Sequence, residues 1–182
     1  MPKKITVVLL FTLCTLCENC NRNNFDQYND IEKIFHELKK THKADYIDLP
    51  PRMIKAFLRV EKANENLIQV VSQSEQFMIM HLDKSESRKV YKKAKYDIKK
   101  FIEVNHFKES ATTTYNSVNF ELYTILSSED ELKNLLIIID EDNLLSVIYM
   151  KGIYSTESIE GVNSHVSPKE ILELNQKFTN KI

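Results

Sequence analysis

The sequence predicts an α+β fold, in which helices pack on one face of a mostly antiparallel sheet that ends in a C-terminal four-strand meander. Three observations lead to this prediction. Two apolar runs between residues 132 and 154 are separated by a polar turn, which is typical of a β-hairpin. Alternating apolar residues precede the hairpin, and stretches of helical periodicity flank this region. The 182 residues, 42% of them hydrophobic, suffice for one domain with a buried core.

The first twenty residues have the layout of a secretory signal peptide. Lys3 and Lys4 form a basic start, and an apolar run from Ile5 to Leu16 follows that is too short for a membrane-spanning helix. Cys20 closes this segment, and a polar tether over residues 21–27 comes next. We therefore predict that residues 1–20 are a lipoprotein-like signal peptide and that Cys20 is the lipid attachment residue.

All three cysteines of the chain lie in this segment. Cys14, Cys17 and Cys20 have a C-x-x-C-x-x-C spacing, which also occurs around metal and iron–sulfur sites. Cys14 lies inside the apolar run, however, and no second cysteine group follows to complete a coordination shell. The position of these cysteines therefore favours lipid attachment over metal binding.

Residues 28–182 are predicted to form a single domain, which begins with a helix, a strand and a second helix. Apolar residues recur on one helical face from Ile31 to Leu38, and Asn29 with Glu32 resembles a capping box. A strand is predicted at Ala44–Leu49. A helix over 51–63 begins at paired prolines, whose missing amide hydrogens are not needed in a first turn.

The next segment leads to the longest predicted helix, over residues 84–104. Residues 64–75 fit a helix or a buried connection equally well. Phe77–Leu82 is predicted to be a strand, and Asp83 and Glu86 follow it at the spacing of a helix cap.

This long helix is predicted to have one apolar and one basic face. Its apolar positions are Val90, Ala94, Ile98 and Phe101. The opposite face has the five residues predicted to contact anionic lipid headgroups or an acidic partner, namely Arg88, Lys89, Lys92, Lys95 and Lys99. Two pairs at the spacing of adjacent turns would neutralise part of the charge, Lys93 with Asp97 and Lys99 with Glu103. A solvated surface without a partner is the alternative interpretation.

Four strands follow the long helix and form the predicted meander. After Asn105 the period changes from helical to alternating, and the alternating residues from Thr113 to Ile125 indicate two strands. The hairpin comes next. Its two strands are predicted at 135–139 and 144–149, its turn at 140–143, and its end at Gly152. Because the run at 135–139 is unbroken, both faces of that strand need cover, and Ile138 is predicted to lie in the core.

Helical periodicity returns at the C-terminus. Ser167 and Glu170 resemble a capping box, and Pro168 suits the first turn of a helix. The predicted order is helix, strand, helix, strand, helix, four strands, helix. The sequence does not define the strand order. A ferredoxin-like arrangement is therefore one open option for the topology.

The residue inventory excludes several classes of active site. Two glycines are too few for a phosphate-binding P-loop or a dinucleotide fingerprint. The five histidines form no H-E-x-x-H motif, and no serine lies in a G-x-S-x-G elbow. Asp140, Asp142 and Asn143 are not followed by the oxygen ligand and glycine of an EF-hand loop. We therefore predict no metal, no cofactor and no catalytic residue. The near balance of 25 basic and 26 acidic residues does not indicate nucleic acid binding.

Several stretches of the chain resemble one known family. They are ADYIDLPPRMIKAFL, the long basic helix, NFELYTIL and LLIIIDEDNLLSVIYMKGIY. These stretches are similar to domain-of-unknown-function family 4252, and the resemblance includes most of the chain after residue 20. It implies an exported bacterial protein of the kind labelled a lipoprotein. It implies no catalytic residue, because the family has none assigned.

Together these features predict an exported, non-enzymatic protein of the bacterial cell envelope, in the periplasm or on the periplasmic or outer face of a membrane. We expect a lipid-anchored binding or adaptor module, whose partners are the membrane and an envelope protein. The alternatives are a purely structural envelope protein and an enzyme with a dispersed active site. A pocket with convergent polar groups and strongly perturbed pKa values would favour the enzyme.

Overall fold

A six-stranded antiparallel sheet forms the centre of the protein, with helices on both of its faces. The structure, a computed structural model, describes residues 28–85 and 87–179. The helices are α1 Ile31–His42, α2 Pro51–Val60, α3 Glu65–Ser72, α4 Arg88–Val104, α5 Thr156–His165 and α6 Pro168–Thr179. The strands are β1 Asp45–Leu49, β2 Ser74–Asp83, β3 Lys108–Tyr115, β4 Val118–Leu126, β5 Glu131–Asp140 and β6 Leu144–Ser155.

Strands β3 to β6 form the predicted meander. The sheet order is β1-β2-β6-β5-β4-β3, and every neighbouring pair is antiparallel. The N-terminal strands therefore extend the sheet beyond β6. Strand β6 lies between β2 and β5. This central position explains why β6 is buried without interruption from Leu145 to Met150.

The prediction that the helices pack on one face is wrong. Helices α1 and α4 pack on one face of the sheet, where Phe35 and Ile98 join a core that includes Met80 and Val147. Helices α2, α3, α5 and α6 pack on the other face, around residues such as Ile79. Both faces need cover because β2, β5 and β6 have apolar residues at consecutive positions. This arrangement also differs from the ferredoxin-like option, a β-α-β-β-α-β unit.

The structure adds two helices to the predicted order. The ambiguous stretch at 64–75 contains α3, and α5 follows β6 directly. Little in the sequence indicates α5, because Gly161 and Asn163 lower the helix propensity of a ten-residue segment.

The prediction that the hairpin ends at Gly152 is wrong, because strand β6 continues to Ser155. A Cβ atom at Gly152 would lie 2.6 Å from the backbone oxygen of Gln73, which follows α3. Glycine therefore allows the close approach of two backbones, a common reason for glycine inside a strand.

Helix starts agree only in part with the predicted caps. The cap of α6 is confirmed, since Ser167 Oγ accepts a hydrogen bond from the backbone NH of Glu170 at 3.1 Å. The cap of α1 is Asp30 instead of Asn29, because the Asp30 carboxylate accepts from the backbone NH of Glu32 at 3.0 Å. Asn29 and Asp30 are adjacent and both residue types suit an N-cap, so the sequence pattern alone does not distinguish them.

Helix α4 begins later than predicted, after a short turn. Ser87 is its N-cap and accepts a hydrogen bond from the backbone NH of Lys89 at 3.2 Å. Asp83 instead accepts from the backbone NH of Ser85 at 2.7 Å, within the turn itself. Glu86 lies outside the described residues.

Candidate functional site

The five predicted contact residues lie on one exposed side of α4. Arg88, Lys89, Lys92, Lys95 and Lys99 are all exposed. Of the predicted apolar positions, Ala94, Ile98 and Phe101 are buried and Val90 is half-buried against the same core. The predicted separation into a buried face and a charged face is therefore confirmed. The sheet and α1 hold the apolar side, so the charged side faces outward.

Carboxylates neutralise only some of the bases of α4. Lys93 pairs with Asp97 at 2.5 Å, as predicted, and Lys100 pairs with Glu103 at 2.7 Å in place of the predicted Lys99. Four bases have no carboxylate within 4.0 Å in the part of the chain that the structure describes: Arg88, Lys89, Lys92 and Lys99. We call these four residues the cationic surface.

Lys95 differs from the four residues of the cationic surface because it binds a buried carboxylate. Asp140, at the end of β5, is 8% exposed. Its Oδ2 atom lies 2.8 Å from Lys95 Nζ and accepts a hydrogen bond from the Tyr91 hydroxyl at 2.9 Å. Lys84 Nζ lies 2.5 Å from the Oδ1 atom and also donates to the backbone oxygen of Glu141. The Asp140 carboxylate thus joins α4 to the end of β5 and to the turn after β2, at one end of the sheet.

The electrostatics of this cluster keep it ionised. Burial alone would raise the pKa of Asp140, but the contacts with Lys84, Lys95 and Tyr91 outweigh burial and hold that pKa below its ordinary value. Burial would lower the pKa of Lys95, and its contacts with Asp140 and Tyr91 reverse this and raise it. The Lys84 ammonium also lies 4.7 Å from the centroid of the Tyr91 ring, a cation–π distance.

The prediction that Asp140 belongs to the polar turn at 140–143 is wrong, because Asp140 is the last residue of β5. Its position in β5 explains the difference, because Leu136, Ile138 and Asp140 alternate onto the face that α4 covers. A carboxylate that continues such an alternation is buried and needs a cation. That pattern was a usable signal, although the partners Lys84 and Lys95 could not be identified from it.

A second buried polar cluster lies on the opposite face, beneath α6. His81 Nδ1 is 2.9 Å from Ser146 Oγ, and Asn175 Nδ2 donates to the same hydroxyl at 2.9 Å. The other ring nitrogen of His81 is 3.5 Å from the Thr179 hydroxyl. His81 is 3% exposed, and burial lowers its pKa to about 4.

This serine and histidine lack the arrangement of a hydrolase. In a triad, a carboxylate orients the histidine that activates an accessible serine. Here Thr179 occupies the position of the carboxylate, and Ser146 has no exposed surface. The cluster therefore serves as a set of polar contacts among β2, β6 and α6.

The predicted lipid attachment residue and the predicted tether lie outside the described residues. These features are Cys20 and the tether at 21–27, which are not among residues 28–85 and 87–179. Within those ranges, no group of three or more His, Cys, Asp or Glu side chains could hold a metal ion. No helix in the same ranges is long and apolar enough to cross a membrane.

Comparisons with known proteins bear on the family of the chain. No curated protein and no solved structure matches it significantly. A family profile described as Domain of unknown function (DUF4252) matches residues 35–162. The matched range includes all six strands, the whole of α4 and Asp140. The match extends over more than half of the chain, so this protein belongs to the DUF4252 family.

Proposed function

We propose that this protein is an exported, non-enzymatic binding module of the bacterial cell envelope, which lays the cationic surface of α4 on anionic lipid headgroups. One observation is the basis of the proposal. Arg88, Lys89, Lys92 and Lys99 are exposed together without a carboxylate partner among the described residues, whereas Lys95 on the same helix is neutralised by Asp140.

The layout of the cationic surface suits an extended anionic partner. Arg88 and Lys99 are eleven positions apart on α4, which corresponds to about 16 Å along the helix axis. Charges spread over that distance meet several headgroups at once, and each base near an anionic membrane adds about 1 kcal/mol. A small point ligand could not contact all four bases.

The predicted anchor at Cys20 and the cationic surface complement each other. A lipid at Cys20 would keep the domain at a membrane surface, and a lipid anchor combined with a basic patch is a common pair of membrane signals. The rigid attachment of α4 through Asp140 and Lys95 supports the same proposal, because a fixed helix presents its charges without an additional ordering cost.

A binding role also fits the use of the polar side chains inside the protein. His81, Ser146 and Asn175 contact one another on one face of the sheet, and Asp140 contacts its two lysines on the other. These groups are buried polar side chains, and internal partners already occupy them. We therefore propose binding instead of catalysis.

Vesicle cosedimentation tests the proposal with two variants of equal charge change. Wild-type protein should bind phosphatidylglycerol-containing vesicles at low salt, should ignore pure phosphatidylcholine, and should dissociate as salt rises. The variant R88Q/K89Q/K92Q/K99Q should lose this binding. The control R52Q/R59Q/K62Q/K169Q changes exposed bases on and beside α2 and α6, on the opposite face, and should keep it.

Two outcomes would contradict the proposal. Wild-type protein that ignores anionic vesicles at low salt would exclude a membrane partner and leave an acidic protein as the partner of this surface. Equal loss in both variants would show that net charge, and not the position of α4, determines binding.

A further inference from the structure

A groove of about 560 Å³ lies between α4 and strands β4 to β6, on the face of the sheet that α4 covers. Its volume falls within the range of roughly 300–1,000 Å³ that is usual for small-molecule sites. The groove exists because α1 and α4 pack mainly over β2, β6 and β5. Strand β4 extends the sheet further, and its residues Glu121 and Tyr123 are only half-buried there.

The floor of the groove is apolar. Ile98, Ile138 and Leu145 are buried and contribute to it, and half-buried Ile102 adds one wall. These side chains belong to the core of this face, so the floor is fixed by packing and does not depend on a loop. An apolar floor of this kind favours the binding of a hydrocarbon chain.

The rim of the groove is cationic. Lys92 and Lys99 line it, and neither has a carboxylate partner among the described residues. Two glutamates also line it. Glu103 is paired with Lys100, whereas Glu121 accepts a hydrogen bond from the neutral Tyr123 hydroxyl at 2.7 Å and keeps its charge. Lys92, Lys95 and Lys99 still outnumber these two carboxylates in the lining.

We propose that this groove binds a long-chain fatty acid, with the chain on the isoleucine floor and the carboxylate at Lys92 and Lys99. Charge complementarity identifies the head, because Lys92 and Lys99 have no described carboxylate within 4.0 Å and line the same groove as an apolar floor that a fully polar anion would leave unfilled. The inference rests on the proposed function, since it assigns a specific anion to part of the same cationic surface.

A second groove provides an internal comparison. It has a volume of about 400 Å³ and lies on the opposite face, between β3 to β5 and helices α5 and α6. Val162 and Ile171 contribute to its apolar lining, and no lysine or arginine is among its described lining residues. This groove could accept an apolar chain but has no cation for a carboxylate, so the two grooves predict different ligand preferences.

Isothermal titration of the purified protein with palmitate, methyl palmitate and acetate tests the proposal. Palmitate should bind with one site per chain, methyl palmitate should bind much more weakly, and acetate should not bind. The variant K92Q/K99Q removes both rim charges from exposed positions and should weaken palmitate binding about tenfold. Ile102→Trp should fill the groove and abolish binding, while Val162→Trp should fill the second groove without effect.

Several results would overturn the proposal. They are no binding of palmitate, equal affinity for palmitate and its methyl ester, or loss of binding in Val162→Trp with retention in Ile102→Trp. A thermal melt of each variant separates misfolding from loss of the site, and K92Q/K99Q provides the test if Ile102→Trp does not fold. Vesicle binding without palmitate binding would overturn the fatty acid site alone. Palmitate binding without vesicle binding would overturn only the membrane contact.

Discussion

Lys95 Nζ lies 2.8 Å from Asp140 Oδ2, and this contact joins the middle of the basic helix to the last residue of β5. One lysine of a predicted contact surface is thus part of the scaffold, while Lys92 and Lys99 on the same helix have no such partner among the described residues. The helix therefore combines two roles, attachment to the sheet and presentation of charge, which can be separated by substitution.

Asp140→Asn should destabilise the fold by about 2 kcal/mol, because the neutral amide cannot satisfy the charges of Lys84 and Lys95. Urea unfolding measures this difference. Asp142→Asn is the control, since Asp142 is exposed in the following turn and its change should have little effect. Equal stability of the two variants would show that the Asp140 cluster does not hold the structure.

Stability should fall as the pH is lowered from 6.5 to 4, because burial depresses the pKa of His81 from 6.5 to about 4. In this window the unfolded chain binds a proton that the folded protein does not bind, so protonation favours unfolding. The full shift corresponds to roughly 3 kcal/mol. His81→Gln should flatten the dependence of the unfolding free energy on pH between these values, while His165→Gln, at an exposed position, should not. An unchanged slope in His81→Gln would mean that other groups cause the acid sensitivity.

Most strands of the sheet could be predicted from the sequence, but the strand order and the placement of helices on both faces could not. Alternation and apolar runs indicate β3 to β6 because they are local patterns, and the meander follows from short connections. The pairing of β2 with β6 is a long-range contact with no local pattern, so the strand order could not be derived. The unbroken run Leu135–Ile139 did indicate cover on both faces, and that requirement conflicts with helices on one face.

The side-chain contacts of the candidate site could also be predicted only in part from the sequence. Helical periodicity was enough to separate the bases of α4 from its apolar face. It could not distinguish Lys95 from Lys92, because the difference depends on Asp140, which is 45 residues away in the chain. Likewise, His81 and Ser146 meet only because β2 and β6 are neighbours in the sheet.

Ile138→Asp should unfold the domain, as predicted from the apolar run. Ile138 is 6% exposed and belongs to the core beneath α4, so the substitution adds the desolvation of a carboxylate to the loss of packing. The cost should exceed roughly 4 kcal/mol. Ile153→Asp is a matched control in β6, because Ile153 is 55% exposed. A thermal melt unchanged by Ile138→Asp would place this side chain in solvent.

The two glycines should respond differently to alanine. At Gly152 the new Cβ would lie 2.6 Å from the backbone oxygen of Gln73, and relief requires a shift of β6 or of the end of α3. We expect a loss of about 2 kcal/mol. At Gly161, in α5, the nearest atom is the side-chain oxygen of Asn66 at 3.2 Å, which can rotate, and alanine should regain up to about 1 kcal/mol of helix propensity. Denaturant midpoints decide the order, and a larger loss at Gly161 would contradict it.

Lys95→Gln and Lys92→Gln should separate the two roles of α4, since each removes one charge from an exposed position on the same helix. Lys95→Gln should lower the free energy of unfolding by about 1 kcal/mol, because Asp140 keeps Lys84 and Tyr91 but loses one cation. Lys92→Gln should change stability by less than about 0.5 kcal/mol, because no described carboxylate contacts Lys92. Cosedimentation with phosphatidylglycerol vesicles should show the reverse order, with weaker binding in Lys92→Gln than in Lys95→Gln. Identical effects of the two variants on both measurements would mean that the Asp140 contact does not divide the lysines of this helix.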